Sequence, residues 1–121
     1  KGMMESGIEF LQQRASLPGY QPLYGAPVVC LLSGPADAPS TPVNCALAAD
    51  NMVLQATACG LASCFIITPG FAIRGDAGLA REAGIPEGYN FVCAVLAGHP
   101  TPVDPYSNPD RQPKGAVNYC D

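Results

Sequence analysis

Residues 41–67 read TPVNCALAADNMVLQATACGLASCFII, and the way this stretch divides decides the fold. Thr41 is a good N-cap, Pro42 is tolerated at the first helical position, and Gly60 supplies a left-handed end. The stretch therefore predicts one long helix, opened by Thr41-Pro42 and closed by Gly60. At about 100° per residue, Asn44, Asn51 and Gln55 share a narrow stripe with Ala48, Ala58 and Ala62, and nearly every other face is apolar. Such a helix is expected to be buried on most sides, its small residues letting a neighbour come close. Asp50 falls among the apolar positions and so calls for a hydrogen-bond partner or an interface. Past Gly60, "SCFII" (63–67) is a short strand that "TPG" ends.

Upstream, "MMESGIEFLQQRAS" (3–16) reads as a short helix with Met4, Ile8 and Leu11 on one side. "LPGYQPLYGAP" breaks it and reads as an extended connection. "PVVCLLS" (27–33) is a continuous apolar run of strand length, which suggests a central strand covered on both faces. Downstream, Asp76 caps a brief helix carrying Leu79, Ala80 and Ala83, which Gly84 stops with Pro86 just beyond. "NFVCAVLAG" (90–98) is a third strand. From His99 onward five prolines and no helical period mark an extended Pro-rich arm over 99–121. Alternating strands and helices leave both α/β and α+β open, because crossovers alone do not fix strand direction.

With 121 residues the chain is one domain at most. Only 13% of residues are charged, against about 25% in an ordinary soluble domain. That is too little charge to cover a free surface, so part of the exterior is expected to be buried against another chain. A net charge of −4 with six scattered basic residues argues against nucleic acid as a partner. No apolar run approaches the ~20 residues that cross a bilayer, so no membrane partner is expected.

Chemistry is sparse. The sequence holds no G-x-S-x-G, H-E-x-x-H, P-loop or G-x-G-x-x-G pattern. His99, the single histidine, sits in "GHP" at a strand end and reads as a turn residue. Six cysteines (Cys30, Cys45, Cys59, Cys64, Cys93, Cys120) include no C-x-x-C pair, so a zinc ribbon or thioredoxin-type site is not indicated. Cys30, Cys64 and Cys93 lie in apolar strand-like runs, where reduced cysteine behaves as a small hydrophobe. Reduced thiols and a cytoplasmic location are expected in preference to a secreted disulfide framework. Cys64 itself, beside Phe65, Ile66 and Ile67, is expected to be a packed, inert core thiol. Arg111 and Lys114 in "NPDRQPKG" are either a solvated tail or a clamp for a phosphate-bearing small molecule.

Four stretches taken in order change that balance: "GAPVVCLLSG", "NCALAADNMVLQATACGLASCFII", "AGIPEGYNFVCAVLAGHP", and the Pro-rich segment with Arg111 and Lys114. Over about residues 24–119 this set resembles the C-terminal part of the FMN-dependent nitroreductase family. The resemblance implies an α+β fold with a mostly antiparallel central sheet flanked by helices, incomplete in this chain. Residues 1–121 would be the C-terminal part of a single nitroreductase-like domain. It further implies a homodimer with FMN at the subunit interface. Backbone from Cys64 through Phe65, Ile66 and Ile67 to Thr68 would lie beside the flavin ring, with Gly60 and Ala62 small enough to allow that approach. Arg111 and Lys114 match the family's basic positions near the phosphate. No side chain stands out as catalytic.

The family's Arg- and Ser-containing opening segment has no match here, since Arg14 stands alone in "QQRAS". These residues are therefore expected to be a fragment, one segment of a nicked protein, or a degenerate relative, with the N-terminal part of the same protein as a missing partner. The activity implied is transfer of electrons from NAD(P)H, as co-substrate, through FMN to a nitroaromatic, quinone or similar small-molecule acceptor. The alternative is a non-catalytic flavin- or ligand-binding relative, or an interaction module, that keeps the fold without the activity.

Overall fold

The computed structural model describes residues 2–101. In chain order it contains helix α1 (Gly2–Ala15), strand β1 (Val28–Pro35), helix α2 (Thr41–Ala58), strand β2 (Ala62–Ile66), helix α3 (Pro69–Gly75), helix α4 (Ala77–Glu82) and strand β3 (Tyr89–Gly98). Beyond Thr101, the Pro-rich arm lies outside the described residues.

The sheet order is β1-β3-β2, with both neighbours antiparallel to β3. β1 and β2 therefore run the same way with β3 between them, and α2 crosses over from one to the other. This split β-α-β arrangement settles the architecture as α+β with an antiparallel sheet. It also corrects one expectation. β1 has the apolar composition of a central strand but stands at the sheet edge, and Val28 at its start is 49% exposed. Apolarity records what a strand should be covered by, not where in the sheet it sits.

Alternation along β3 splits the core into two layers. Cys93 and Val95 face α2 and pack with Leu32, Cys45 and Ala49. Ala94 and Leu96 face the other way and join Ile66 of β2, Ile73 of α3, Ile85 from the segment before β3, and Phe91, which the register shift opposite Leu32/Ser33 brings to this side of β3. Cys93 is wholly buried, its thiol directed at the Cys45 carbonyl oxygen 3.9 Å away, and burial, with Cys45 adding a smaller push, raises its pKa.

The ends of α2 show how the sequence delimits it. Thr41 is the first helical residue rather than the cap, which falls on Ser40 with no side-chain capping bond. Gly60 adopts φ +72°. There the Gly60 N–H donates to the Thr57 carbonyl and the Leu61 N–H to the Ala56 carbonyl, the paired bonds of a Schellman end. Gly84 closes α4 in the same way, bringing buried Ile85 into the core. At the other end of α4 the Asp76 carboxylate accepts from the Gly78 and Leu79 N–H groups.

Burial along α2 is one-sided. Thr41, Cys45 and Ala49 are buried at four-residue spacing, whereas Val43, Leu47 and Leu54 are each 61% exposed on the opposite face, with Asp50 exposed among them. The expectation of burial on most sides is thus corrected for this chain: the three-stranded sheet covers one face of the helix only.

Candidate functional site

The Schellman end at Gly60 turns the chain directly into β2, which pairs with β3 on one side and, among the described residues, has no strand on the other. Along that edge Cys64, Phe65, Ile67 and Thr68 are exposed, and only Ile66 is buried, directed into the core beneath α3. Phe65, 49% exposed, stands opposite Val95 on the α2 side of the sheet; Cys64 stands opposite Leu96 on the other side. Cys64 is therefore a solvent-facing thiol at a sheet edge, not the packed core thiol that its apolar neighbours suggest. On the same face Ile66, two residues on, packs with Ile73 of α3, whereas Cys64 is left exposed.

The segment after β2 is helical, where the sequence reading has "TPG" only as the end of the strand. A Thr-Pro pair stands at the start of both helices, with Thr68 as the N-cap of α3 and Thr41 as the first residue of α2, and that repeated pair was the signal available for it. Gly70, at the second position of α3, sits so close to the Phe91 ring that a Cβ would lie 2.9 Å from its Cδ1. This contact fixes how Thr68 and the end of β2 are presented.

Two concavities meet this edge. A shallow recess of about 190 Å³ lies over Ala62, Ser63 and Cys64, bordered by Tyr24 and Gly98. A larger groove of about 620 Å³ begins at Thr68 and Pro69. It continues between α1, α3 and α4 over Val29 and Leu31 of β1, and its lining is almost wholly apolar. Gly60, at the turn into β2, has no atom within 4 Å of where a Cβ would be.

Charge is sparse here too. The described arginines are placed elsewhere: Arg14 lies over the Phe10 ring, Arg81 is in α4, and Arg74 of α3 lines a separate cavity with Asn90 and Phe91. Arg111 and Lys114 lie outside the described residues. His99 is exposed just past the end of β3. No group of three or more His, Cys, Asp or Glu side chains able to hold a metal occurs among the described residues. None of their helices is long and apolar enough to cross a membrane.

The sequence model of the Nitroreductase family matches residues 5–99, nearly all of the described chain. This chain belongs to the nitroreductase family. Solved structures agree on the fold. A nitroreductase with bound FMN from Bacteroides fragilis superposes with a TM-score of 0.80 at 23% identity, covering 93% of this chain. One with bound FMN from Desulfitobacterium hafniense gives 0.73 at 26% identity and covers all of it. An FMN-dependent nitroreductase from Clostridium difficile gives 0.67 at 18% identity and covers 97%. This nitroreductase chain spans 61% of the length of the first of these proteins, 71% of the second and 72% of the third. No curated protein sequence matches it.

Proposed function

We propose that this chain is the C-terminal part of a single nitroreductase-like domain that holds FMN along the open edge of β2. It would carry electrons from NAD(P)H to a nitroaromatic, quinone or similar small acceptor, in the cytoplasm. The observation that carries the reading is the exposed run Cys64, Phe65, Ile67 and Thr68 on an unpaired strand edge in a chain of this family.

A planar ring fits that edge. Backbone groups on the outer side of β2 have no strand partner among the described residues, and such groups can hydrogen-bond the rim of a heterocycle. Ile66 anchors the strand through its buried side chain and offers only main chain to a ligand. Phe65 and Ile67, both about half exposed, supply apolar surface beside the ring. A phosphate would draw on Arg111 and Lys114, or on the remainder of the domain, because none of the described arginines lines either concavity at β2. The chemistry FMN supplies when bound is hydride acceptance and electron delivery; the protein's part is to hold the ring and tune it by hydrogen bonds.

The exposed apolar face of α2 supports a homodimer. Val43, Leu47 and Leu54 fall within about 60° of one another on the helix, a stripe running some 17 Å along it. A second copy is the simplest cover for such a surface.

Purification of the protein from its complete reading frame tests the reading. We expect a yellow preparation with flavin absorbance that is bleached by NADH or NADPH and restored by an acceptor. A colourless protein that added FMN cannot convert overturns it. Bound flavin that neither nucleotide reduces selects the non-catalytic relative.

A further inference from the structure

We propose that the cleft between α3 and the β1–α2 connection binds an aromatic carboxylate, whose carboxylate group is held by the Arg74 guanidinium and the Asn90 side-chain amide. None of the residues placed along the flavin edge lines this cleft, and the inference does not depend on the cofactor reading.

The cleft holds about 460 Å³, a volume typical of small-molecule sites. It opens where the last residue of β1 hands over to α2, with Arg74 of α3 and the first residues of β3 completing its wall. The backbone of the connection has few donors left to offer. The Ala36 N–H donates to the Gly88 carbonyl, the Ala38 N–H to Pro35 and the Thr41 N–H to Ala38. Pro35, Pro39 and Pro42 carry no N–H. The Thr41 hydroxyl is committed to the Pro35 carbonyl. Recognition of a polar group therefore falls to the side chains of Arg74 and Asn90. Neither has a hydrogen bond or ion pair among the described residues.

The arrangement around Arg74 is specific. A Cβ on Gly70 would lie 3.4 Å from Arg74 Nη2 and 2.9 Å from Phe91 Cδ1, so guanidinium and ring border one corner that a side chain at position 70 would crowd. No acidic side chain lines the cleft. Asp76 is the acid closest to Arg74 in sequence, and its carboxylate caps α4 through Gly78 and Leu79. Asp37, exposed in the connection, makes no ion pair with Arg74 among the described residues. The register along β3 adds to the site as well. Leu32 pairs with Cys93 and Ser33 with Phe91, which leaves Val92 as the extra residue, and Val92 lines the cleft. Such bulges re-aim side chains and are frequent beside functional sites.

These features select the ligand. The guanidinium fork matches both oxygens of a carboxylate, and the Asn90 amide supplies a further donor. The rest of the wall is flat and apolar, formed largely by three proline rings and the edge of Phe91. An aromatic ring suits such a surface, whereas a sugar would set unsatisfied hydroxyls against it.

The test titrates benzoate into the intact ¹⁵N-labelled protein and follows the Arg74 Nε–H and Asn90 side-chain amide signals. We expect both to shift and saturate together. Arg74→Gln, a change at an exposed position, should weaken binding about tenfold or more. Arg74→Lys should restore only part of that loss, because the charge returns without the fork. Neutral benzamide and inorganic phosphate should each bind at least about tenfold more weakly than benzoate. Absence of a shift at either side chain, equal affinity for benzamide or for phosphate, or full affinity in Arg74→Gln overturns the inference. The titration is repeated with FMN present at saturation. Unchanged benzoate affinity is expected, and competition between the two overturns a site apart from the flavin edge. A protein that binds benzoate but no flavin sinks the cofactor reading alone.

Discussion

The Thr41 hydroxyl donates a 2.8 Å hydrogen bond to the carbonyl oxygen of Pro35, tying the first residue of α2 to the last residue of β1. Thr41 is buried, and its methyl group packs where Gly34 leaves room. Replacing Thr41 by Val keeps the shape but leaves the carbonyl without this donor. Because that carbonyl still accepts from the Ala38 N–H at 3.4 Å, the loss is that of one hydrogen bond, about 0.5–1.5 kcal/mol. Thr41→Ser, which keeps the donor, should lose less. Urea denaturation of both variants checks the order.

Gly70 faces Phe91, a ring only 3% exposed, with too little space for a methyl group. Gly70→Ala should therefore destabilise by about 1–3 kcal/mol through overpacking. It should also displace the start of α3 and with it Thr68. We expect FMN affinity to fall more in this variant than in Gly75→Ala, where a Cβ meets nothing within 4 Å. Thermal melts and flavin fluorescence titrations on the two proteins separate stability from binding.

The buried Cys93 thiol gives a pH signature. Its pKa is raised in the folded chain, first by burial and then by Cys45. In the unfolded chain a thiol ionises near about 8.5. Above that pH the unfolded state loses a proton that the folded state keeps, so stability falls as pH rises through the thiol range and is full below it. Denaturation midpoints at neutral and alkaline pH should diverge, and Cys93→Ala should reduce the divergence. Thiol labelling of the native protein should reach exposed Cys59 and Cys64 quickly and buried Cys45 and Cys93 slowly.

If two copies meet through α2, a charge on its outer face should part them. Leu47→Glu is expected to convert dimer to monomer in sedimentation velocity without unfolding the chain, because Leu47 is exposed in the single subunit. Flavin should be lost along with the dimer if the cofactor sits between subunits.

Much of this fold is legible from punctuation. Gly60 and Gly84 end their helices as their positions suggest, and Asp76 caps α4, because these are local backbone demands that few residues satisfy. What failed was reading the surroundings of an element from its composition. β1 and α2 both look like interior pieces, and both present apolar surface to the outside here, since the contacts that would cover them are not among the described residues. Cys64 was misread for a related reason: alternation tells which side of a strand a residue is on, not whether anything packs there. Helix α3 was missed because Thr68-Pro69-Gly70 resembles a turn until Phe91 is seen to hold it. At the candidate site, the exposed end of β2 follows from chain order and the cap at Gly60. The positions of Arg111 and Lys114 depend on residues outside the described part.

The strand order carries a consequence for synthesis. Among the described strands β3 is the middle one and the last to leave the ribosome, so β1 and β2 lack the partner they share until residues 89–98 emerge. Pairing across that interval closes long loops, which slows the search. A nascent chain stalled near Pro86 would hold two apolar strands and a greasy helix with nothing to stitch them together, a natural client for a chaperone.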